Sequence, residues 1–153
     1  MIKAFKELEL EGFDFTYYIA GDGKEYEYLA NLVKDLSLTH RVQFLGKVTE
    51  DEKNDLYAKA DYFLLPSVFA EKDGSIEGYG ITFIEANAYS IPVLSGNTGG
   101  MKEAVINGVT GLHCDGSILD IKKKILRMSQ MDFNKESINT HAVAHDYLKQ
   151  FDF

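Results

Sequence analysis

The chain has 153 residues, 45% of them hydrophobic and 26% charged, which is ordinary for a globular protein with a real core. Its net charge of −8 argues against nucleic-acid partners and against a polybasic membrane-binding surface. The single cysteine, Cys114, excludes an internal disulfide, and neither a signal peptide nor a membrane-spanning run is visible, so we expect a cytoplasmic protein.

Short apolar runs alternate with longer amphipathic segments along the chain. The runs, which predict strands, are residues 15–20, 42–46, 61–66, 92–95 and 111–114. The amphipathic segments, which predict helices, are residues 1–9, 24–37, 50–59, 80–90, 99–106, 117–130 and 135–149. Thr49 and Glu52 have the spacing of a capping box, which supports a helix start at residue 50.

The aromatic residues follow the predicted strands and the inner faces of the predicted helices. We therefore expect the tyrosines and phenylalanines to lie in the core. The inner face of segment 24–37 is predicted to consist of Tyr28, Leu29, Leu32, Val33 and Leu36.

The alternation of strands and helices predicts an α/β fold: a Rossmann-like, doubly wound parallel sheet with helices on both faces. No internal boundary, repeat or low-complexity segment is visible, so residues 1–153 are expected to form a single domain. Ligands of such sheets bind beyond the carboxyl ends of the strands. The loops expected there are residues 21–23, 46–48, 67–80 and 96–100.

The segment from Glu77 to Glu85 carries the strongest functional signal. Two carboxylates lie eight positions apart, separated by a Gly-Tyr-Gly turn and the apolar start of a predicted helix. If the helix starts at Gly80, the free N–H groups of Gly80, Ile81 and Thr82 form an anion site. Glu85 lies roughly 7 Å further along the axis, about the reach from a pyrophosphate to its ribose.

A structural interpretation of this segment stays open. A glutamate near a helix start often only complements the helix dipole. Glu85 fits this interpretation less well, because its sequence neighbours Phe83, Ile84, Ala86 and Ala88 leave little polar surface around it. A half-buried carboxylate needs partners.

Other motifs are weaker. Gly21-Asp22-Gly23 resembles the start of a dinucleotide fingerprint, but Tyr26 stands at the third glycine position, so a plain turn is favoured. No D-x-D pair exists, and a carboxylate-held metal therefore has no support in the sequence. His141 and His145 have zinc-like spacing without an evident third ligand and are interpreted as surface residues. His113, beside Cys114, is expected to pack rather than react.

Several segments together resemble one family, the retaining glycosyltransferases of family 4. The matching segments, in chain order, are residues 19–23, 42–46, 56–61, 65–67, 77–80, 85–86, 92–93, 99–103 and 107–111. The resemblance covers nearly the whole chain and corresponds to the C-terminal half of these enzymes. It implies the GT-B fold, in which two Rossmann-like domains face a cleft and the C-terminal one holds the nucleotide-sugar donor.

The resemblance also implies roles for individual residues. Glu85 matches the glutamate that binds the ribose, and Glu77 matches the one that lies against the donor sugar, which makes it the candidate catalytic residue. The implied donor contacts are the backbone of Gly78, Tyr79 and Gly80 for the sugar, the amides of Ile81 and Thr82 for the phosphates, and Gly46, Lys47 and Val48 for the base. Gly21 completes the predicted donor-binding set.

The implied function is binding of a UDP- or GDP-sugar for transfer to a glycan or a lipid-linked acceptor, with no cofactor and no metal. The implied partners are the donor, an N-terminal GT-B domain and the acceptor, and the parent enzyme is expected in the cytoplasm or at the inner face of the membrane. The Arg and Lys that grip the diphosphate in this family precede the point where the sequence begins. We therefore expect this polypeptide to be inactive by itself.

Two departures are smaller: Ser90 replaces the usual glycine before the Pro92-Val93 strand, and Tyr79 replaces the commoner phenylalanine. Two other function classes stay open. One is a non-catalytic module that binds nucleotide or another chain; the other is a domain like those of sugar-nucleotide epimerases or other dinucleotide-binding enzymes.

Overall fold

The structure, a computed structural model, describes residues 1–66, 80–97, 100–140 and 142. The helices of this part are α1 (Ile2–Leu10), α2 (Tyr26–Asp35), α3 (Glu50–Lys59), α4 (Ile81–Ala88), α5 (Met101–Ala104) and α6 (Ile118–Gln130), with a further helical stretch at 135–140. The strands are β1 (Tyr17–Ala20), β2 (Val42–Gly46), β3 (Phe63–Leu65), β4 (Val93–Gly96) and β5 (Gly111–Cys114). The order of the predicted elements is confirmed.

All described strand pairs are parallel. β1 pairs with β2, and β4 lies between β3 and β5, so hydrogen bonds form one two-stranded and one three-stranded sheet. Parallel strands need crossover connections, and each consecutive pair of strands is indeed separated by a segment that contains a helix. The α/β class with parallel sheets flanked by helices is confirmed, although we expected one sheet and the described ladders form two.

The chain divides into two compact units, Met1–Asp55 and Leu56–Phe153. The core of the first unit contains Ile2, Val33, Leu38 and Val42. In the same unit, Phe5 packs its ring 4.6 Å from the ring of Tyr17, and burial raises the pKa of the Tyr17 phenol to about 12. The prediction of a single domain over residues 1–153 stays a prediction.

The core of the second unit surrounds β4, whose four residues are all buried. Strands covered on both faces are typically apolar throughout, as this one is at Val93 and Leu94. Asn87 on α4 is buried as well, and its amide nitrogen donates to the carbonyls of Ile91 at 2.9 Å and Thr110 at 3.2 Å. These two bonds fasten the end of α4 to the segments that lead into β4 and β5.

Three helices end in a residue with left-handed backbone. Gly12 follows α1 with φ +80°, Ser37 follows α2 with φ +57°, and Ser90 follows α4 with φ +60°. After α4, the N–H of Ile91 donates to Ala86 and that of Ser90 to Asn87, which is the pattern of a Schellman motif. The position where the sequence departs from the expected glycine, Ser90, therefore keeps the glycine-like turn.

One core prediction is wrong for several tyrosines. Tyr28 was expected on the inner face of α2 but is 59% exposed, and Tyr18, Tyr26 and Tyr89 are exposed as well. The apolar ring and polar hydroxyl of tyrosine suit a partly solvated position, which a count of apolar residues does not distinguish from the core.

None of the described helices has both the length and the apolar composition needed to cross a bilayer.

Candidate functional site at the start of α4

The helix predicted to begin at Gly80 is present. Gly80 is its N-cap, in left-handed conformation with φ 62° and ψ 41°, and α4 runs from Ile81 to Ala88. The N–H groups of Phe83 and Ile84 already donate to the Gly80 carbonyl, at 2.9 Å and 3.4 Å. The N–H groups of the first turn before them have no acceptor within the helix.

Gly80 is required at this position for two reasons. An L side chain rarely adopts its backbone conformation. In addition, a Cβ added to Gly80 would lie 2.5 Å from Cδ2 of Phe83 and 3.3 Å from Cβ of Ala104. Phe83 is 1% exposed, so its ring has little room to give way. The glycine therefore lets the chain enter α4 directly against the core.

The residues after Gly80 leave the first turn accessible. Ile81 is 59% exposed and Thr82 is also exposed, whereas Phe83 and Ile84 turn into the core. A β-branched residue exposed to this extent contributes little to the packing of its own unit. The helix end that carries the partial positive charge thus has a buried N-cap, Gly80, followed by two exposed residues.

Glu85 is half-buried, as its neighbours in the sequence predicted. Its Oε2 lies 3.4 Å from the hydroxyl of Tyr57, which also lies 3.5 Å from the carbonyl oxygen of Thr82. Tyr57 lies in segment 56–61 of the family resemblance, which implies no role for it. The sequence offers only a weak signal for it: Tyr57 is the aromatic residue of the mostly charged and polar helix α3, and the structure buries it.

Three residues of the predicted site, Glu77, Gly78 and Tyr79, lie outside the described residues. His141 and His145 lie outside them too. The expected juxtaposition of the Glu77 and Glu85 carboxylates therefore stays a prediction, as does the assignment of Glu77 as the catalytic residue.

The predicted residues of the first unit lie at the carboxyl ends of β1 and β2. The N–H of Gly21 donates to the carbonyl of Gly46 at 2.7 Å, which holds the two strand ends together. Both glycines have positive φ, +127° and +67°, and an added Cβ would meet nothing within 4 Å at either. Lys47 is exposed and Val48 half-buried, directly after β2. The backbone at Gly21 and Gly46 is therefore not covered by side chains.

A polar pair lies at the carboxyl ends of β4 and β5. Ser95 Oγ is 2.8 Å from His113 Nδ1, and the residues face each other across the parallel ladder. Burial lowers the pKa of His113, which keeps the imidazole neutral at neutral pH. Because Ser95 is fully buried, the pair packs the sheet rather than presenting a nucleophile, as expected for His113. Burial likewise raises the pKa of the Cys114 thiol.

No group of three His, Cys, Asp or Glu side chains in the described ranges is placed to hold a metal ion. In the second unit, the candidate site consists of the helix start at Gly80 and one half-buried carboxylate, Glu85; the first unit separately presents the glycine turns at Gly21 and Gly46. Such groups bind anions and hydroxyl groups.

Comparison with known proteins agrees with the fold. The sequence profile of the family described as Glycosyl transferases group 1 matches residues 1–142. Since the match covers nearly the whole chain, this protein belongs to that family.

Named relatives give the family more detail. The GDP-mannose-dependent alpha-(1-6)-phosphatidylinositol monomannoside mannosyltransferase of Mycobacterium tuberculosis is 39% identical over 102 residues, which are 67% of this chain and 26% of the relative. The N-acetyl-alpha-D-glucosaminyl L-malate synthase of Bacillus anthracis is 35% identical over 115 residues, 75% of this chain and 28% of the relative. The chain thus spans about a quarter to a third of the length of such relatives.

Solved structures share the architecture. A glycosyltransferase from Rickettsia africae superposes with a TM-score of 0.77 at 23% identity, over 94% of this chain and 38% of that one. HepE of Anabaena, in complex with UDP and glucose, superposes with a TM-score of 0.69 at 25% identity, with the same two coverages of 94% and 38%. The fold is that of the Rossmann-like C-terminal domain of GT-B glycosyltransferases.

Proposed function

We propose that this chain is the donor-binding domain of a retaining family 4 glycosyltransferase. The parent enzyme transfers a sugar from a UDP- or GDP-sugar to a glycan or lipid-linked acceptor at the cytoplasmic face of a membrane. The chain supplies the half of the active site that holds the nucleotide-sugar, and an N-terminal GT-B domain supplies most of the acceptor site.

The start of α4 carries this proposal. Gly80 brings the chain into the helix in left-handed conformation, Ile81 and Thr82 follow at an open surface, and Glu85 lies about one turn further on. Amides at a helix N-terminus suit the two phosphates of the donor, because they offer N–H groups and a favourable dipole. A carboxylate only accepts hydrogen bonds and therefore suits the hydroxyl groups of a ribose.

Roles for the remaining residues follow the same chemistry. Gly46, Lys47 and Val48 contribute backbone for the base, and Gly21 belongs to the same donor-binding set. Glu77, Gly78 and Tyr79 complete the sugar pocket, with Glu77 as the catalytic carboxylate. The names of relatives support a sugar-nucleotide donor, since one relative is GDP-mannose-dependent and the HepE structure is in complex with UDP and glucose.

We also propose that transfer needs no metal. The sequence contains no D-x-D pair to bind a divalent cation beside the diphosphate. The helix start would instead supply positive potential at the phosphates. If this is correct, a chelator leaves donor affinity unchanged, whereas a metal-dependent site would lose affinity and regain it with Mg²⁺ or Mn²⁺.

Calorimetric titration with UDP, GDP and ADP tests the proposal. We expect binding of at least one nucleoside diphosphate, weakened about tenfold or more by Glu85→Gln, because a hydrogen bond to a charged group is worth about 1.5–3 kcal/mol. Glu136→Gln is the matched control, since it removes the same charge from an exposed carboxylate on the stretch 135–140. No heat with any of the three nucleotides at millimolar concentration would contradict the proposal.

The purified chain supplies only the donor half of the proposed active site, so it is further expected to transfer no sugar. Stabilisation of the leaving diphosphate, normally a large part of catalysis, is then incomplete. Turnover by the chain alone would contradict this part. If no N-terminal GT-B domain is encoded in the same or an adjacent reading frame, the alternative of a non-catalytic nucleotide-binding module is favoured. Tight binding of NAD in place of a nucleoside diphosphate would favour the epimerase-like alternative.

A further inference from the structure

Tyr57 is a buried residue in an otherwise polar helix, with its hydroxyl directed at the candidate site. The side chain is 7% exposed, while the rest of α3 consists mostly of charged and polar residues. Its hydroxyl lies within reach of two acceptors on the first turns of α4, the carboxylate of Glu85 and the carbonyl of Thr82.

Two aromatic rings define the position of the Tyr57 ring. Phe63 on β3 contacts it edge-on, with centroids 5.7 Å apart, and Tyr89 lies at 5.6 Å in a tilted arrangement. Both distances fall in the range of favourable aromatic pairs. Because the ring is held by packing on two sides, its hydroxyl has a fixed location relative to α4.

A phenol hydroxyl in this location orients a carboxylate. Its oxygen lies 3.4 Å from Glu85 Oε2 and 3.5 Å from the Thr82 carbonyl oxygen, both longer than the 2.7–2.8 Å typical of O–H···O bonds. A small rotation of the Glu85 carboxylate toward the phenol shortens its contact with the Tyr57 hydroxyl. Polar contacts of binding sites are often long without ligand and tighten when it binds.

We propose that Tyr57 is a positioning residue for the donor: it holds the Glu85 carboxylate in the rotamer that accepts hydrogen bonds from the ribose hydroxyls. This inference rests on the proposed function of the same site. It assigns Tyr57 a role in selecting ligands that carry those hydroxyls, beyond its contribution to the core.

The two roles of Tyr57 are separable by experiment. A residue that only packs changes stability and lowers the affinity for every ligand alike. When a residue that orients Glu85 is altered, the ratio of two affinities changes: that for a nucleotide and that for its analogue without ribose hydroxyls. Tyr57→Phe keeps the ring and removes the hydroxyl, and Tyr89→Phe is the matched control because it removes the hydroxyl of the neighbouring exposed ring.

Calorimetry should compare the nucleoside diphosphate that binds the wild-type chain, its 2′,3′-dideoxy analogue and inorganic pyrophosphate. We expect Tyr57→Phe to lower the affinity for the nucleotide about threefold to tenfold, in line with the loss of one hydrogen bond. The affinities for the other two ligands should stay unchanged. Tyr89→Phe should leave all three unchanged. A parallel loss for all three ligands, or an unaltered ratio between nucleotide and dideoxy analogue, overturns the positioning role.

A second measurement does not depend on binding. In ¹³C NMR, the carboxyl carbon of Glu85, assigned by its disappearance in Glu85→Gln, should shift in Tyr57→Phe but not in Tyr89→Phe. An unchanged signal in Tyr57→Phe overturns the inference even if nucleotide binds. If the wild-type chain binds no nucleotide, the proposed function fails, and a shifted signal still supports the orientation of Glu85 by Tyr57.

Discussion

Two glycines of the first compact unit and two of the second meet different structural demands. In the first unit, Gly21 and Gly46 have positive φ, and an added Cβ would meet nothing within 4 Å. In the second, a Cβ at Gly80 would lie 2.5 Å from the ring of Phe83, and one at Gly111 would lie 2.0 Å from the carbonyl oxygen of Val93. The first pair is needed for backbone conformation alone, whereas the second pair is needed because there is no space.

This difference in space indicates which glycines can serve ligand binding and which serve stability. Space beside Gly21 and Gly46 is open, so these turns can admit a ligand close to the backbone. Gly80 and Gly111 of the second unit, in contrast, are closed in by protein atoms. Of these four glycines, Gly80 combines a positive φ with a lack of space for a Cβ, and it begins the helix whose next two residues are exposed.

The largest expected effect is that of Gly111→Ala. The new Cβ would collide with backbone of the neighbouring strand, which includes the nitrogen of Val93 at 2.8 Å, and no side-chain rotation can relieve this. We expect the free energy of unfolding to fall by about 3 kcal/mol or more, as for other severe overpacking. Urea denaturation followed by circular dichroism measures it. A loss below 1 kcal/mol would show that β4 and β5 separate easily.

Gly80→Ala should have the next largest effect. It combines the cost of a left-handed alanine, about 1–2 kcal/mol, with a clash against a buried aromatic ring that has to move. We expect a loss of about 2–4 kcal/mol by the same denaturation assay. Gly80→Asn would share the clash but tolerate the torsion better, so a smaller loss for Asn than for Ala would isolate the torsional part.

Gly46→Ala tests whether Gly46 differs from Gly80 in having space for a side chain. Only the torsional cost applies here, so we expect a loss of about 1 kcal/mol in unfolding free energy. If Gly46 also admits the base of the donor, the affinity for nucleotide should fall more than the stability does. A loss of stability as large as that of Gly80→Ala would show that the turn after β2 is packed after all.

The smallest effect is stabilising. Ser90 is a residue with a side chain in the left-handed position that ends α4, at φ +60°. Ser90→Gly removes that strain and should raise the free energy of unfolding by roughly 0.5–1 kcal/mol. Ser37→Gly, after α2, provides an independent repeat of the same test. Destabilisation in both variants would mean that the serine hydroxyls stabilise these turns more than the strain costs.

The fold was largely predictable because its signals are local. The bounds of β2 and α3 agree with the sequence prediction, and the capping box is present: the N–H of Glu52 donates to Thr49 Oγ1 at 3.2 Å, and the N–H of Thr49 to Glu52 Oε2 at 2.8 Å. In the candidate site, the start of α4 at Gly80 and the half-buried state of Glu85 were also predicted. The binding roles of these residues stay predictions.

Other features could not be predicted. Tyr57 and Glu85 are 28 positions apart, and no periodicity links a residue of one helix to a residue of another. The exposure of Tyr28 was missed because a tyrosine at a helical repeat counts as apolar. The distinction between Gly46 and Gly111 depends on which atoms lie opposite each Cα, which the sequence does not state.

By itself, the sequence determined the order of strands and helices, the place where α4 begins and the α/β class, because hydrophobic period, caps and turns act over a few neighbouring residues. Only the tertiary structure decided which glycines are closed by packing, which tyrosines face water and which phenol meets the Glu85 carboxylate. These depend on contacts between segments distant along the chain, whose geometry is set when strands and helices pack against one another.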